Sequence, residues 1–377
     1  MSKPEKRWYE TFYTYIWVFN TGRGLSILIR LPNNIGILYD LGNSKEFSPC
    51  DFIAKHIAPH LTKYKAGETS TSIAQCILSH PHADHIREID AIHLQTDKDG
   101  QETTSPELRP ALLTCPNDKG DQDNDQDDDQ KVDFTRIKRD DNAELIEKYK
   151  SSYSKRQLPL QTIESCGSNV PNVEYGVYYL KPGEVATEHP KTDQDYTNGL
   201  SILFYLRHGN QSILIPGDVT PEVMSRILED DDGVEKRYTY FRKVPRAILD
   251  DFHKTTSTQP SLSDLLSDRG LSILVAPHHG LESGFSEKFF ETIYGNKTRL
   301  NVISEKRHEN EDAGTVDPRY QSSDNASGLK VNIDGKQQDC FSVTTRNGHH
   351  ILIIFKGTDN TPHVYLRKNP KDLLEII

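Results

Sequence analysis

The chain has 377 residues, 34% hydrophobic and 27% charged, with 45 Lys+Arg against 56 Asp+Glu and a net charge of −11. That apolar content is lean but supports a sizeable core, which excludes wholesale disorder. The acidic balance argues against a generic nucleic-acid coat protein, which would be basic.

No run approaches the roughly 18 apolar residues needed to span a bilayer. The start, MSKPEKRWYETFYTY, lacks the apolar stretch of a secretory signal. The five cysteines (Cys50, Cys76, Cys115, Cys166, Cys340) are scattered and form no CxxC pair. The expectation is a reduced, cytoplasmic protein with no membrane association.

Taken in chain order, Tyr13–Asn20, Leu25–Leu31 and Ile35–Asp40 are rich in β-branched and aromatic residues and predict strands. Pro32-Asn33-Asn34 supplies a turn between the second and third. A helix is expected over Asp51–Tyr64, then a buried strand at Ile73–Leu78. After it comes SHPHADH, followed by Ile86, Ile89 and Ile92 at helical spacing. The segment 117–133 holds eight Asp and two Lys, which is −6 of the total −11, and no aromatic residue. It cannot bury apolar area and reads as a solvated surface loop. Asp121, Asp123 and Asp125 imitate the start of an EF-hand, but Gln126 stands where Gly is needed and Val132 where the bidentate Glu belongs.

Some helix is expected near Asn142–Lys150. Leu200–Leu206 and Ser212–Pro216 read as a hairpin that runs into Gly217-Asp218. The next helix is N-capped by Thr220, with Pro221 at its first position. A charged, partly helical stretch covers 233–268. Leu271–Ala276 is an apolar strand ending in Pro277-His278-His279-Gly280. Then come a helix over Ser286–Tyr294 and a strand over Leu300–Ser304. Phe341–Arg346 and His350–Phe355 flank Asn347-Gly348 and read as a closing hairpin. Apolar strands that repeatedly end in polar clusters point to stacked sheets with helices outside and chemistry at the strand ends.

The most informative cluster is His80-Pro81-His82-Ala83-Asp84-His85. Three imidazoles and a carboxylate within six residues are good ligands for zinc, manganese or iron. Alternation sends His80 and His82 one way and Asp84 and His85 another. One loop can then serve two ions about 3.5–4 Å apart. Asp218 ends its strand as a carboxylate able to bridge both, and Gly217 permits close backbone approach. His278 and His279 also follow a strand.

These motifs, in this order, resemble the metallo-β-lactamase superfamily. They are closer still to the hydrolase domain of ComEC, the bacterial DNA-uptake channel protein, and its soluble relatives. The resemblance rests on Gly24-Leu25-Ser26, Ile37-Leu38-Tyr39-Asp40-Leu41-Gly42, His80–His85 and Asn198-Gly199-Leu200-Ser201. It continues through Gly217-Asp218, Pro277–Gly280 with Ser283 and Ser286 nearby, and Thr345–Ile351. It covers about 10–115 and 170–357 in patches. It implies an α/β (α+β) chain folded as a four-layer αβ/βα sandwich. One domain would span 1–377, with insertions at about 115–195 and 230–268.

The resemblance implies His80 and His82 as ligands of a first divalent ion, zinc or manganese, and Asp84 and His85 as ligands of a second. Asp218 would bridge. One of His278 and His279 would complete the second site, with His278 favoured for lying nearer the strand end. Asp40 would orient a ligating His through its other ring nitrogen, with Asn198 beside it. Many members carry a third His for the first ion where this chain has Asn198; His189 is a weak substitute. Lys306, Arg307 and His308 are weak candidates for substrate phosphate.

The implied activity is that of a phosphodiesterase or nuclease, using a dinuclear centre to activate a bridging hydroxide, with Asp84 accepting a hydrogen bond from it or taking its proton. Nucleic acid or a nucleotide would be the substrate. Defence against foreign DNA, with a protein partner in a multi-component system, follows by analogy alone. The alternatives are hydrolysis of a small ester, amide or lactone, and a non-catalytic scaffold.

Overall fold

The structure, a computed structural model, describes residues 13–32, 34–66, 69–93, 95–96, 102–104, 108–116, 132–137, 143–153, 173–188, 190–229, 261–305 and 316–376. His189, Lys306, Arg307, His308, the acidic loop up to 131 and residues 230–260 lie outside them.

Runs such as Thr14–Val18 are apolar on both faces because both faces are covered. Ile16 and Val18 pack with Ile213, Ile215, Ile273 and Val275 in a core between two sheets. The alternate residues Tyr15 and Trp17 belong to a second core with Phe52 and Ile53 of the helix Pro49–His56. On the opposite sheet, Leu214 and Leu274 share that second core with helical residues Val223, Ile227, Leu266 and Phe289. The layers are therefore helix, sheet, sheet, helix: the expected α/β sandwich.

The strands in chain order are β1 (Thr14–Val18), β2 (Ile27–Arg30), β3 (Gly36–Tyr39), β4 (Tyr64–Ala66), β5 (Thr69–Thr71), β6 (Ile73–Ile77), β7 (Gln95–Thr96), β8 (Glu102–Thr104), β9 (Pro110–Thr114) and β10 (Val173–Tyr178). They continue as β11 (Leu203–His208), β12 (Gln211–Ile215), β13 (Leu271–Val275), β14 (Thr298–Ile303), β15 (Leu329–Ile333), β16 (Lys336–Cys340), β17 (Ser342–Thr344), β18 (His350–Phe355) and β19 (His363–Arg367). One sheet has the order β16-β15-β19-β18-β1-β2-β3-β6-β9 and the other β10-β11-β12-β13-β14-β17. β3 and β6 run parallel, as do β12, β13 and β14. Their C-terminal ends thus point the same way within each sheet, and ligands collect outside such ends.

Three local expectations change. The first helix ends at His56 rather than Tyr64; Ala58–His60 tightens into a 3-10 turn before β4. Val173–Tyr178, inside the stretch 115–195, pairs with β11 as an edge of the second sheet. The segments either side of Asn347-Gly348 are not a hairpin. β17 pairs with β14 in the second sheet, whereas β18 pairs with β1 and β19 in the first. The turn carries the chain from one sheet to the other.

Among the described residues, no helix is long and apolar enough to cross a membrane.

Two buried histidines, one between the sheets and one within the larger sheet, make stability depend on pH. His208 Nδ1 lies 3.1 Å from Thr14 Oγ1, joining the two sheets. The Asn20 N–H donates to His350 Nδ1 at 3.2 Å, which requires an unprotonated nitrogen there. Burial lowers both imidazoles to about 4; for His350, His349 adds to the effect. The unfolded chain takes up these protons near the ordinary value of about 6.5. Their contribution is therefore complete above pH 6.5 and is lost as pH falls from 6.5 towards 4. Denaturant titrations are expected to lose on the order of 2 kcal/mol per histidine between pH 7.5 and pH 5. The double variant His208→Gln, His350→Gln is expected to flatten that profile; an unchanged slope would assign the loss elsewhere.

Candidate metal centre

Four strand ends meet at one place. β3 delivers Asp40, β6 delivers His80, His82, Asp84 and His85, β12 delivers Asp218, and β13 delivers His278 and His279. The turns are locked together by backbone bonds: Asp40 N–H donates to Ile77 O at 2.8 Å and His278 N–H to Gly217 O at 3.1 Å. Asp40, His278 and His279 hold left-handed backbone angles (φ 56°, 47° and 57°) that non-glycine residues rarely adopt. Such strain persists where surrounding structure fixes it, and it clusters at working sites.

Two groups of donor atoms result. His80, His82 and Asp218 form one; Asp84, His85 and His279 form the other, with all ligand atoms of a group within 4.8 Å of each other. His80 Nε2 lies 2.9 Å from His82 Nδ1 and 3.8 Å from Asp218 Oδ2. In the second group, His279 Nε2 is 3.6 Å from Asp84 Oδ2. Asp218 reaches across: its Oδ1 is 3.3 Å from His85 Nε2 and its Oδ2 is 3.6 Å from His279 Nε2.

The donor set fits ions. Ligands about 2.1 Å from a shared ion sit roughly 3.0–3.4 Å apart, which these separations bracket. The Nε2 atoms of His85 and His279 are buried and make no hydrogen bond among the described residues. Leaving such nitrogens orphaned costs about 1–3 kcal/mol each, a cost removed if they ligate.

The tautomers agree with this. His85 Nδ1 lies 2.7 Å from Asp40 Oδ2 and His279 Nδ1 lies 3.2 Å from Ser304 O. Both oxygens only accept, so each Nδ1 carries a proton and Nε2 is the nitrogen directed at the centre, able to bind an ion once its own proton is displaced.

Electrostatics set the metal-free state. Burial disfavours charge on His85, but Asp218 and Asp40 outweigh it and hold its pKa well above the ordinary value. Burial likewise opposes ionisation of Asp218, and His85 and His279 reverse that, holding it well below the carboxylate range. Asp84 is also held low despite burial, by its His279 contact and by His85. His80 is pushed well down by burial and its neighbours His85 and His82.

Of the two adjacent histidines, the group around Asp84 takes His279, not the sequence-favoured His278. His278 Nε2 stands 4.0 Å from Asp218 Oδ2, and its Nδ1 is engaged by Ser283 Oγ at 2.7 Å. Two consecutive left-handed residues turn the second imidazole inward, which chain spacing alone does not reveal. Asn198 is buried beside Ser201, and its Oδ1 has no hydrogen-bond partner among the described residues. Two serines were quoted in the sequence motifs without a role. Ser79 Oγ touches Asp40 and His80, and Ser201 Oγ accepts from Asp218 N–H at 3.1 Å and lies 3.4 Å from His80 Nδ1. Their place within the quoted motifs, Ser79 before His80 and Ser201 after Leu200, was the one signal that marked them.

No protein-family model matches the chain, and no curated protein matches it. Among solved structures, the crystal structure of CmlA, a diiron β-hydroxylase from Streptomyces venezuelae, is similar at a TM-score of 0.32 and 10% identity, over 80% of this chain and 46% of that one. A mutant of the same CmlA β-hydroxylase gives 0.29 and 12%, over 78% and 49%. The chain spans about half the length of these structures. At such scores the likeness carries no argument about chemistry.

Proposed function

We propose that the protein is a metal-dependent phosphodiesterase acting on nucleic acid or a nucleotide, with two divalent ions, zinc or manganese, held by the two His/Asp groups. The observation that carries this reading is Asp218, whose two oxygens face both groups while the orphaned Nε2 atoms of His85 and His279 face Asp218. His80 and His82 would hold the first ion and Asp84, His85 and His279 the second, with Asp218 between them.

Bound together, two divalent ions acidify water and neutralise charge developing on a phosphoryl group. The chain supplies the rest. Asp84 is the one acidic group of the centre with substantial exposure, 27% of its side chain against 5% for Asp218. It faces incoming water and accepts the proton that the nucleophile gives up. Its low pKa keeps it ionised for that role. Asp40 and Ser304 hold the imidazoles of His85 and His279 against rotation.

The test is metal analysis of the purified protein alongside turnover of labelled single- and double-stranded DNA, RNA and cyclic dinucleotides, each with an Asp84→Ala control. Two ions per chain and metal-dependent cleavage, reduced about 10²–10⁴-fold in the control as expected for loss of a positioned base, is the expected result. Turnover confined to small esters, amides or lactones would replace the phosphodiesterase reading. Failure to bind any divalent ion would end it.

A further inference from the structure

Ser79, the last residue before the His80–His85 motif, is not among the candidate ligands, yet it touches residues of both donor groups. It is fully buried. Its N–H donates to Asp40 Oδ1 at 2.6 Å and its hydroxyl donates to Asp40 Oδ2 at 2.7 Å. The same Oγ lies 3.0 Å from His80 Nδ1 and 3.4 Å from His85 Nδ1. A serine hydroxyl has one proton to give. The short contact to a carboxylate takes it, because charge-assisted bonds are the stronger ones. Oγ is then an acceptor towards His80, so His80 carries its proton on Nδ1. That leaves His80 Nε2 as a lone pair facing His82 and Asp218. Asp40, held by the two Ser79 donors, fixes the same tautomer on His85. His80 and His85 belong to different donor groups.

We infer that Ser79 is a positioning residue that sets the tautomers of His80 and His85 together, so that one buried hydroxyl governs loading of both metal groups. The inference rests on the two-ion reading given above. Gly217 packs against Ser79: a Cβ there would come within 2.8 Å of Ser79 Cβ, so a side chain at position 217 would displace the serine.

The experiment has two readings. In the metal-free wild type, nitrogen NMR of labelled histidine is expected to show a proton on Nδ1 of both His80 and His85, with His80 neutral; an Nε2–H tautomer at His80 overturns the inference whether or not any variant folds. Titration with Mn²⁺ or Zn²⁺ is then compared between wild type and Ser79→Ala. Both stepwise dissociation constants are expected to rise at least tenfold, within the 10–100-fold range for losing an outer-shell partner. Ser79→Thr, which keeps the hydroxyl, is expected to recover part of the loss. If the wild type binds two ions and Ser79→Ala binds both unchanged, or loses only one step, the inference fails while the metal centre stands. If the wild type binds none, the metal reading itself fails.

Discussion

Asp218→Asn is expected to reduce bound metal from two ions per chain to one or fewer and to lower phosphodiester turnover by about 10³-fold or more, the upper range for removing one preorganised electrostatic contact. The reason is its position between the groups. Its carboxylate lies within 4.0 Å of ring nitrogens on His80, His85, His278 and His279. Without it the first group keeps only His80 and His82, too few for a stable site, whereas the second keeps Asp84, His85 and His279. The first ion is thus expected to be lost outright and the second to be weakened. Asp84→Ala makes the opposite cut, since Asp84 belongs only to the second group, and it is expected to spare the first ion. Metal analysis of the two variants side by side separates these patterns. Loss of the same ion from both would show that Asp218 does not bridge. Asparagine keeps the volume of the site but removes one partner of the buried His85 pair, so the metal-free variant is expected to lose stability as well, and its fold is checked by circular dichroism before the metal analysis.

The candidate donor set was legible because its chemistry is local. His80 to His85 lie on one loop, and Asp218, His278 and His279 each follow an apolar strand that announces itself as a continuous run. What the sequence could not show depended on distant partners. Lys336–Cys340 reads KQQDC and is exposed up to a half-buried Cys340; its pairing with β15 makes it a strand. Asn347-Gly348 has hairpin chemistry, but a turn specifies its own backbone and not which sheet each flank joins. The choice between His278 and His279 was hidden in two left-handed backbone angles. The hydroxyls of Ser79 and Ser201 become part of the centre only when β3, β6 and β12 are brought together.

Gly24→Ala is expected to destabilise the fold by about 3 kcal/mol and to loosen the second ion as well, joining the architecture to the chemistry. Gly24 has φ 137°, a region that residues with a Cβ avoid, and strain of this kind costs about 1–3 kcal/mol. An added Cβ would also sit 2.4 Å from the carbonyl oxygen of Asp84, and one on Gly42 would sit 2.6 Å from the same atom. The two glycines thus clasp the backbone of a ligand from both sides. The obstacle is backbone, which cannot rotate away as a flexible side chain can, so overpacking adds about 1–3 kcal/mol. Gly24 cannot retreat either, because its carbonyl accepts the hydroxyls of Thr21 at 2.8 Å and Ser304 at 2.6 Å. Ser304 in turn accepts from His279 through its own carbonyl. Displacement at Gly24 therefore reaches both Asp84 and His279, two ligands of one group. Gly348→Ala is the matched control: its φ is 82°, and a Cβ there meets nothing within 4 Å, so it is expected to cost about 1 kcal/mol of backbone strain and leave metal binding intact. Denaturant midpoints and metal titrations of both variants decide the matter. Equal losses in the two would mean that backbone conformation alone, and not the grip on Asp84, is what the glycine at position 24 provides.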